Sequence, residues 1–312
     1  MLFGKYDFFC QMETDSLLPS YKGSTFRGIF GHALKKVVCA LKQQECHQCL
    51  LRSKCLYARV FETGLADQPA TGSKIPSPPH PFVIEPPVTD ETFFPKGSAF
   101  NFSLLLFGDS NYSLPYFIYA FDQMGKIGMG KQINGKRGSF SVQQVKCGEQ
   151  SIYTQQDQTL HTPDKPDTID LPCPLPQPTD QLAVKVILDT PLRLKFENRL
   201  NADLPFHILV RAMLRRISSL LNEFGDGEPD IDYKGLIQRA AKVPVINSDL
   251  KWLDWRRWSN RQEQAMLMGG ITGSVTYEGH LGDYLPLLDL SSKIHLGKQT
   301  TFGLGKIRAE IV

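Results

Sequence analysis

At 312 residues, with 41% hydrophobic and 21% charged side chains, the chain is long enough to bury a sizeable core and to form two domains of ordinary size. Its formal net charge of +3 is only mildly basic, so a polyanionic partner has to be met by a local patch and not by the whole surface. No apolar run is long enough to span a bilayer, and Met1–Asp7 lacks the basic-then-apolar order of a secretory signal, which makes a cytoplasmic protein with no membrane association the expectation.

The first half opens on a β-prone run, Phe3–Cys10. Ser24–Leu41 then carries Phe26, Ile29, Phe30, Ala33, Leu34, Val37 and Val38 at helical spacing, which predicts an amphipathic helix. Behind it, Cys39, Cys46, Cys49 and Cys55 follow one another as C-x6-C-x2-C-x5-C, while Cys10, Cys147 and Cys173 are scattered. In a cytosolic chain the central C-x2-C favours a metal over a disulfide, because tetrahedral zinc takes four thiolates from a short loop. The expectation is a structural zinc that staples a loop with little core of its own. The alternatives are an iron–sulfur cluster on the same thiolates, His47 or His32 in place of one of them, and unliganded thiols.

A proline-rich segment, Pro69–Pro87, leads to a predicted strand at Phe100–Phe107 and a short helix at Leu114–Met124. A glycine-lysine loop follows, in which Lys126, Lys131, Lys136 and Arg137 lie among Gly125, Gly128, Gly130, Gly135 and Gly138, and a strand at Ser139–Val142 ends the half. Gln155–Asp180, rich in Pro, Asp, Gln and Thr, reads as a linker. Beyond it come a strand at Leu182–Leu188, a short one at Leu192–Phe196 and a helix at Phe206–Phe224 with Arg211, Arg215 and Arg216 on or near its polar side. A second helix near Tyr233–Ala241, β-prone stretches at Leu253–Trp258 and Ile271–Tyr277, and a helix at Asp283–Leu290 complete the half.

The chain closes on Ile294–Lys306, with Gly297, Gly303 and Gly305, and on the alternating run Ile307, Ala309, Ile311. Glycines let a backbone bring its N–H groups close to a phosphate, while Lys298 and Lys306 add charge and Phe302 a stacking face. The plain alternative is a glycine-rich turn before an edge strand. Each half therefore approximates βαββαβ, which predicts an α+β chain of two tandem ferredoxin-like (RRM-like) domains, residues 1–165 and 181–312, with the cysteine-rich metal-binding insertion in the first.

Phe26-Arg27-Gly28-Ile29-Phe30-Gly31, the cysteine cluster running into Cys55-Leu56-Tyr57-Ala58-Arg59-Val60-Phe61-Glu62, Trp255–Gln262 leading to Gly269-Gly270-Ile271-Thr272-Gly273, and Gly297–Gly305 occur in an order that resembles the CRISPR pre-crRNA-processing endoribonucleases of the RAMP superfamily. The resemblance covers most of the chain. It implies binding of CRISPR repeat RNA and metal-independent cleavage of precursor crRNA, in which a 2′-hydroxyl attacks the adjacent phosphate to leave a 2′,3′-cyclic phosphate and a 5′-hydroxyl. Such a reaction needs a base, an acid and cations or N–H donors around the phosphorane, and histidine suits the proton transfers.

In similar enzymes a catalytic histidine lies on or near the first helix, where this chain has His32; packing, capping or metal ligation are its other readings. His295, just before the glycine loop and three residues from Lys298, is second, with a helix C-terminal role as its alternative. Tyr21 or Tyr57 are possible helpers, and His207, His80, His161 and His280 read as packing or loop residues. For RNA contacts the candidates are Arg27, Lys35 and Lys36 on the first helix, Lys131, Lys136 and Arg137 in the first glycine loop, Arg256, Arg257 and Arg261 interleaved with Trp252, Trp255 and Trp258, and Gly297, Lys298, Gly303, Gly305 and Lys306 at the end. The tryptophans read equally as half-buried strand residues. A non-cleaving RAMP-type crRNA-binding subunit of a CRISPR effector complex is the second functional reading, and a metabolic enzyme the third. No Walker-type loop or dinucleotide fingerprint supports the last. The protein is expected to be a monomer or homodimer that meets CRISPR repeat RNA or crRNA, with effector complex subunits as a second class of candidate partner.

Overall fold

The computed structural model describes residues 1–42, 44–65, 78–161, 167–176, 181–194, 202–259 and 264–312. The chain divides into two compact units, Met1–Thr168 with Glu223–Gly225, and Ile169–Asn222 with Asp226–Val312. The architecture is mixed α+β with antiparallel sheets.

In the first unit the chain runs β1 (Leu2–Met12), α1 (Gly23–Val38), α2 (Leu56–Phe61), β2 (Phe82–Glu85), β3 (Ala99–Phe107), α3 (Leu114–Ile127), β4 (Met129–Ile133), β5 (Lys136–Gly138), β6 (Phe140–Cys147) and β7 (Gln150–Thr154). The main sheet is ordered β2-β3-β1-β6-β7, so β1 lies between β3 and β6 and pairs antiparallel with both. Along β1, Tyr6, Phe8, Cys10 and Met12 turn inward at alternate positions while Lys5, Phe9 and Gln11 are exposed, the period of a strand with one covered face.

That face is covered by phenylalanine. Phe8 stacks on Phe102 of β3 at 4.8 Å between ring centroids, and Phe30 of α1 stacks on Phe121 of α3 at 4.5 Å and lies 5.9 Å from Phe117. Phe26, Phe30, Ala33 and Leu34 are fully buried, as the helical spacing predicts, with Ile29, Val37 and Val38 packed partly against the same core. The two glycines of α1 differ. A methyl on Gly31 would stand 3.1 Å from the Phe61 ring, so this glycine makes room for the core, whereas a methyl on Gly28 would meet nothing within 4 Å.

The glycine-lysine segment of the first half is not a loop. Gly125 and Lys126 belong to α3, where Gly125 lets the helix approach the Phe140 carbonyl, and Lys126 pairs with Asp122 at 2.7 Å. Lys131 and Lys136 then lie on a hairpin, β4–β5, turned by Asn134 and Gly135 with positive φ.

The second unit contains β8 (Gln181–Leu192), α4 (Phe206–Phe224), α5 (Tyr233–Ala240), β9 (Val245–Ser259), β10 (Gln264–His280), α6 (Leu285–Ile294) and β11 (Ile307–Ile311), with α4's last residues counted in the first unit. Its sheet is ordered β9-β10-β8-β11. The expected strand at Leu182–Leu188 runs on to Leu192 with a register shift between Leu188 and Leu192, while Arg193 and Leu194 of the expected short strand lie beyond its end and the rest of that segment lies outside the described residues. Phe206 anchors α4 between Tyr277 and Tyr284, at 4.7 and 4.9 Å. The pairing of β8 with β10 ends at Leu192↔Ile271, but β9 and β10 remain paired as far as Ser259↔Gln264, so the end of this hairpin runs past the rest of the sheet as a two-stranded ribbon. Among the described residues, no helix is long and apolar enough to cross a membrane.

Candidate functional site

Two surfaces, one on each unit, carry the expected chemistry. On the first, His32 is exposed on the outer side of α1. Residues three and four apart share a helix face, so Gly28, Lys35 and Lys36 are its neighbours. Lys36 is exposed; Lys35 lies over the Tyr57 ring at 5.5 Å, and Arg27 lies over the Phe61 ring at 4.8 Å, where each keeps its charge against an aromatic face. The space over Gly28, one turn before His32, is open, since a methyl there would meet nothing within 4 Å. Burial and then the Glu85 carboxylate push the Tyr21 phenol up, which makes it a weaker proton donor.

On the second unit the glycine turn is built differently from its expected form. Thr300–Gly305 are buried, leaving Gly297 and Lys298 exposed at the tip and Lys306 half-buried. Many of its N–H groups are already used: Leu296 donates to Gly305 O at 2.8 Å, Lys298 to Arg193 O at 3.0 Å, Gly303 to Thr300 O at 2.8 Å, Gly305 to Pro191 O at 3.0 Å and Lys306 to Thr190 Oγ1 at 2.9 Å. The turn is thus a braced support held against the end of β8, and the amide cradle for phosphates expected at Gly303 and Gly305 is absent there. Gly305, at φ 78°, is required because a methyl would collide with the Leu296 carbonyl.

His295 is also placed against expectation. It is fully buried, its Nδ1 lies 3.0 Å from Leu304 O, and so the ring ties the turn together instead of facing a substrate. Of the basic ribbon residues, Arg257 is half-buried with its guanidinium 4.7 Å from the Phe302 ring, and desolvation pushes its pKa down; Arg256 is exposed opposite Leu267. Arg193 joins turn and ribbon. Its carbonyl accepts from Lys298, its guanidinium meets Asp254 Oδ1 at 3.3 Å and lies 5.7 Å from the Trp252 ring, and Trp252 Nε1 donates to Asp254 Oδ2 at 2.7 Å. Lys298, Arg193 and Arg257 with Trp252 therefore form one basic-aromatic surface, the composition that holds phosphates and stacks bases, whereas Phe302, expected as a stacking face, is buried with the Arg257 guanidinium over its ring.

The four clustered cysteines are free and half-buried. Cys39 caps the end of α1, Cys46 opens a 3₁₀ turn, Cys46–Gln48, that Cys49 ends, and Cys55 ends a second, Arg52–Lys54, and caps the start of α2. Burial pushes the Cys46 thiol up, with the Cys55 and Cys39 thiols acting on it in the same direction, so three of the four share one neighbourhood. Among the described residues, no three or more His, Cys, Asp or Glu side chains stand together as a metal-holding group. The metal-binding insertion is therefore not confirmed.

Residues 186–307 match the family model of CRISPR-associated endoribonuclease Cas6, and residues 1–165 match that of the N-terminal domain AF_1859_N, which alone spans more than half of the chain. The chain belongs to the family of that N-terminal domain, and its second half matches Cas6. A chain from Archaeoglobus fulgidus described as an uncharacterized protein is 26% identical over 293 residues, 93% of this chain and 92% of its own. Among solved structures, a Cas6 product complex aligns with a TM-score of 0.55 at 13% identity over 99% of this chain and 100% of its own. Thermus thermophilus Cas6 aligns at 0.52 and 11% over 99% and 98%. A partial Cas6-RT-Cas1–Cas2 complex aligns at 0.59 and 12%, covering 100% of this chain and 46% of the other, so the present chain spans under half the length of that relative. At these identities the likeness establishes the fold.

The structure groups the expected residues by unit. Gly28, His32, Lys35 and Lys36 share the α1 surface, and Lys298, Arg256 and Arg257 lie on the turn and ribbon. Lys131, Lys136 and Arg137 are exposed on their own hairpin, and Arg261 lies outside the described residues. Sequence reasoning missed Arg193, which falls within a predicted short strand, and Arg216, which the helical spacing puts on or near the polar side of its helix. No local pattern marks either, since their partners lie far away in the chain.

Proposed function

We propose that the protein is an endoribonuclease that binds CRISPR repeat RNA and cuts precursor crRNA without a metal, giving a 2′,3′-cyclic phosphate and a 5′-hydroxyl. The observation that carries this reading is His32, exposed on α1 beside the open surface over Gly28 and next to Lys36, in a chain whose second half is a Cas6 domain. Histidine titrates near neutrality, so His32 can take the 2′-hydroxyl proton, which in a well-placed site speeds reaction by about 10²–10⁴-fold. Lys36 offsets charge on the phosphorane. Lys298, Arg256 and Arg257 hold the RNA from the second unit through phosphates, with Trp252 as a stacking face. The strand orders β2-β3-β1-β6 and β9-β10-β8-β11 support reading the units as two ferredoxin-like domains, residues 1–165 and 181–312. The cysteine segment, whose Leu50 is 84% exposed and which has little core, is proposed to take a structural zinc that draws its thiolates together.

Incubating purified protein with repeat RNA in EDTA tests the function. Cleavage to a cyclic phosphate supports the endonuclease, and tight binding with intact RNA assigns the chain instead to the non-cleaving crRNA-binding class.

A further inference from the structure

A helix C-terminus leaves up to four carbonyls unpaired and carries a partial negative charge, an end that repels phosphate. The C-terminus of α6 leads directly into Gly297 and Lys298, the exposed tip of the turn. From α4, Arg216 reaches this end: its Nε lies 3.2 Å from both the Ile294 and His295 carbonyls, and its second terminal nitrogen donates to Ile294 O at 3.1 Å. The next residue is as unusual. His295 has φ 56° and ψ 147°, a region that residues other than glycine rarely occupy, and it is held there by Arg216 on its carbonyl and by its ring on Leu304 O. Thr190 Oγ1 braces the far side, donating to Gly303 O at 2.9 Å while it accepts from Lys306 N.

We propose that Arg216 and His295 are positioning residues for the RNA-facing turn: Arg216 cancels the negative end of α6, and His295 fixes the chain reversal that leaves Lys298 at the surface. The inference rests on the nucleic-acid reading above and goes beyond it by assigning two residues that touch no RNA. Neutralising a helix end changes the binding of a nearby charge by about twofold to thirtyfold.

The test is equilibrium binding of a labelled single-stranded oligoribonucleotide at several salt concentrations. A residue that neutralises a phosphate contributes about 0.7 to the slope of log affinity against log salt, so Lys298→Ala should flatten that line. Arg216→Met should instead weaken binding about tenfold at every salt, a parallel line, because Arg216 meets carbonyls and not phosphate. Arg216→Lys, which keeps the charge but cannot fork across two carbonyls, should recover only part of the loss, leaving binding about threefold weaker than wild type, and stands in for the methionine variant if that fails to fold. His295→Gly relieves the backbone strain but frees the turn, and should also give a parallel loss of several-fold. Wild-type binding matched by folded Arg216→Lys and His295→Gly overturns this inference alone, as does a flattened line for either Arg216 variant. Wild-type protein that binds no RNA sinks the proposed function, and the inference with it.

Discussion

Gly28 offers the sharpest separation of stability from function. Glycine inside a helix costs about 1 kcal/mol relative to alanine, and in α1 that cost has no packing reason, since a methyl there would meet nothing within 4 Å. Gly28→Ala should therefore stabilise the protein by up to about 1 kcal/mol, raising Tm by about 2–4 °C for a unit of this size, measured by thermal denaturation. The same position faces His32 one turn along, so an acidic side chain there stands beside the path proposed for the phosphate. Two unit charges about 4 Å apart in water repel by about 1 kcal/mol, so Gly28→Glu should slow RNA cleavage roughly fivefold or more with the fold intact. A lower Tm for Gly28→Ala would mean that something packs over α1, and wild-type cleavage by Gly28→Glu would mean that the RNA does not pass this face; either result refutes the reasoning.

Three further outcomes are expected. Phe30→Ala removes a ring buried among Phe117 and Phe121 and should cost about 3–5 kcal/mol in urea unfolding, whereas a loss below 1 kcal/mol would mean that the aromatic core is not the main support of the first unit. Cys46→Ser with Cys49→Ser should release zinc, read by elemental analysis, and lower Tm without moving the cut site; purified wild-type protein free of metal would refute the zinc reading. Lys22 is buried against the carbonyls of Ser20 and Thr89, and desolvation lowers its pKa. Between that lowered value and 10.5 the unfolded chain binds more protons than the folded one, so Lys22 makes stability rise with pH across this window. Lys22→Met should flatten the rise in a series of urea titrations, and an unchanged slope would contradict it.

The helices and strands with strict apolar spacing were legible in the sequence, because Phe26, Phe30, Ala33 and Leu34 recur at helical intervals and all four face one core. What misled was glycine. Gly125 and Gly305 stand in similar glycine-lysine runs, yet one admits the Phe140 carbonyl to a helix and the other the Leu296 carbonyl to a turn. Neither contact is between immediate neighbours in the chain. The same holds for His295, whose neighbour Lys298 suggested chemistry while its ring was committed to Leu304, and for Arg216, whose carbonyl partners are 78 and 79 residues away. His32 came from the resemblance, which places a catalytic histidine on or near the first helix; its exposure was not legible beside the core residues Ala33 and Leu34 and appears only in the fold.

The central claim is that His32 moves the proton in RNA cleavage, and single-turnover cleavage of repeat RNA in EDTA by wild-type protein and His32→Ala tests it most directly. The account predicts a rate lower by about 10²–10⁴-fold for the variant, with RNA affinity and Tm nearly unchanged, since the exposed side chain supports no core. Cleavage by His32→Ala at the wild-type rate would contradict it.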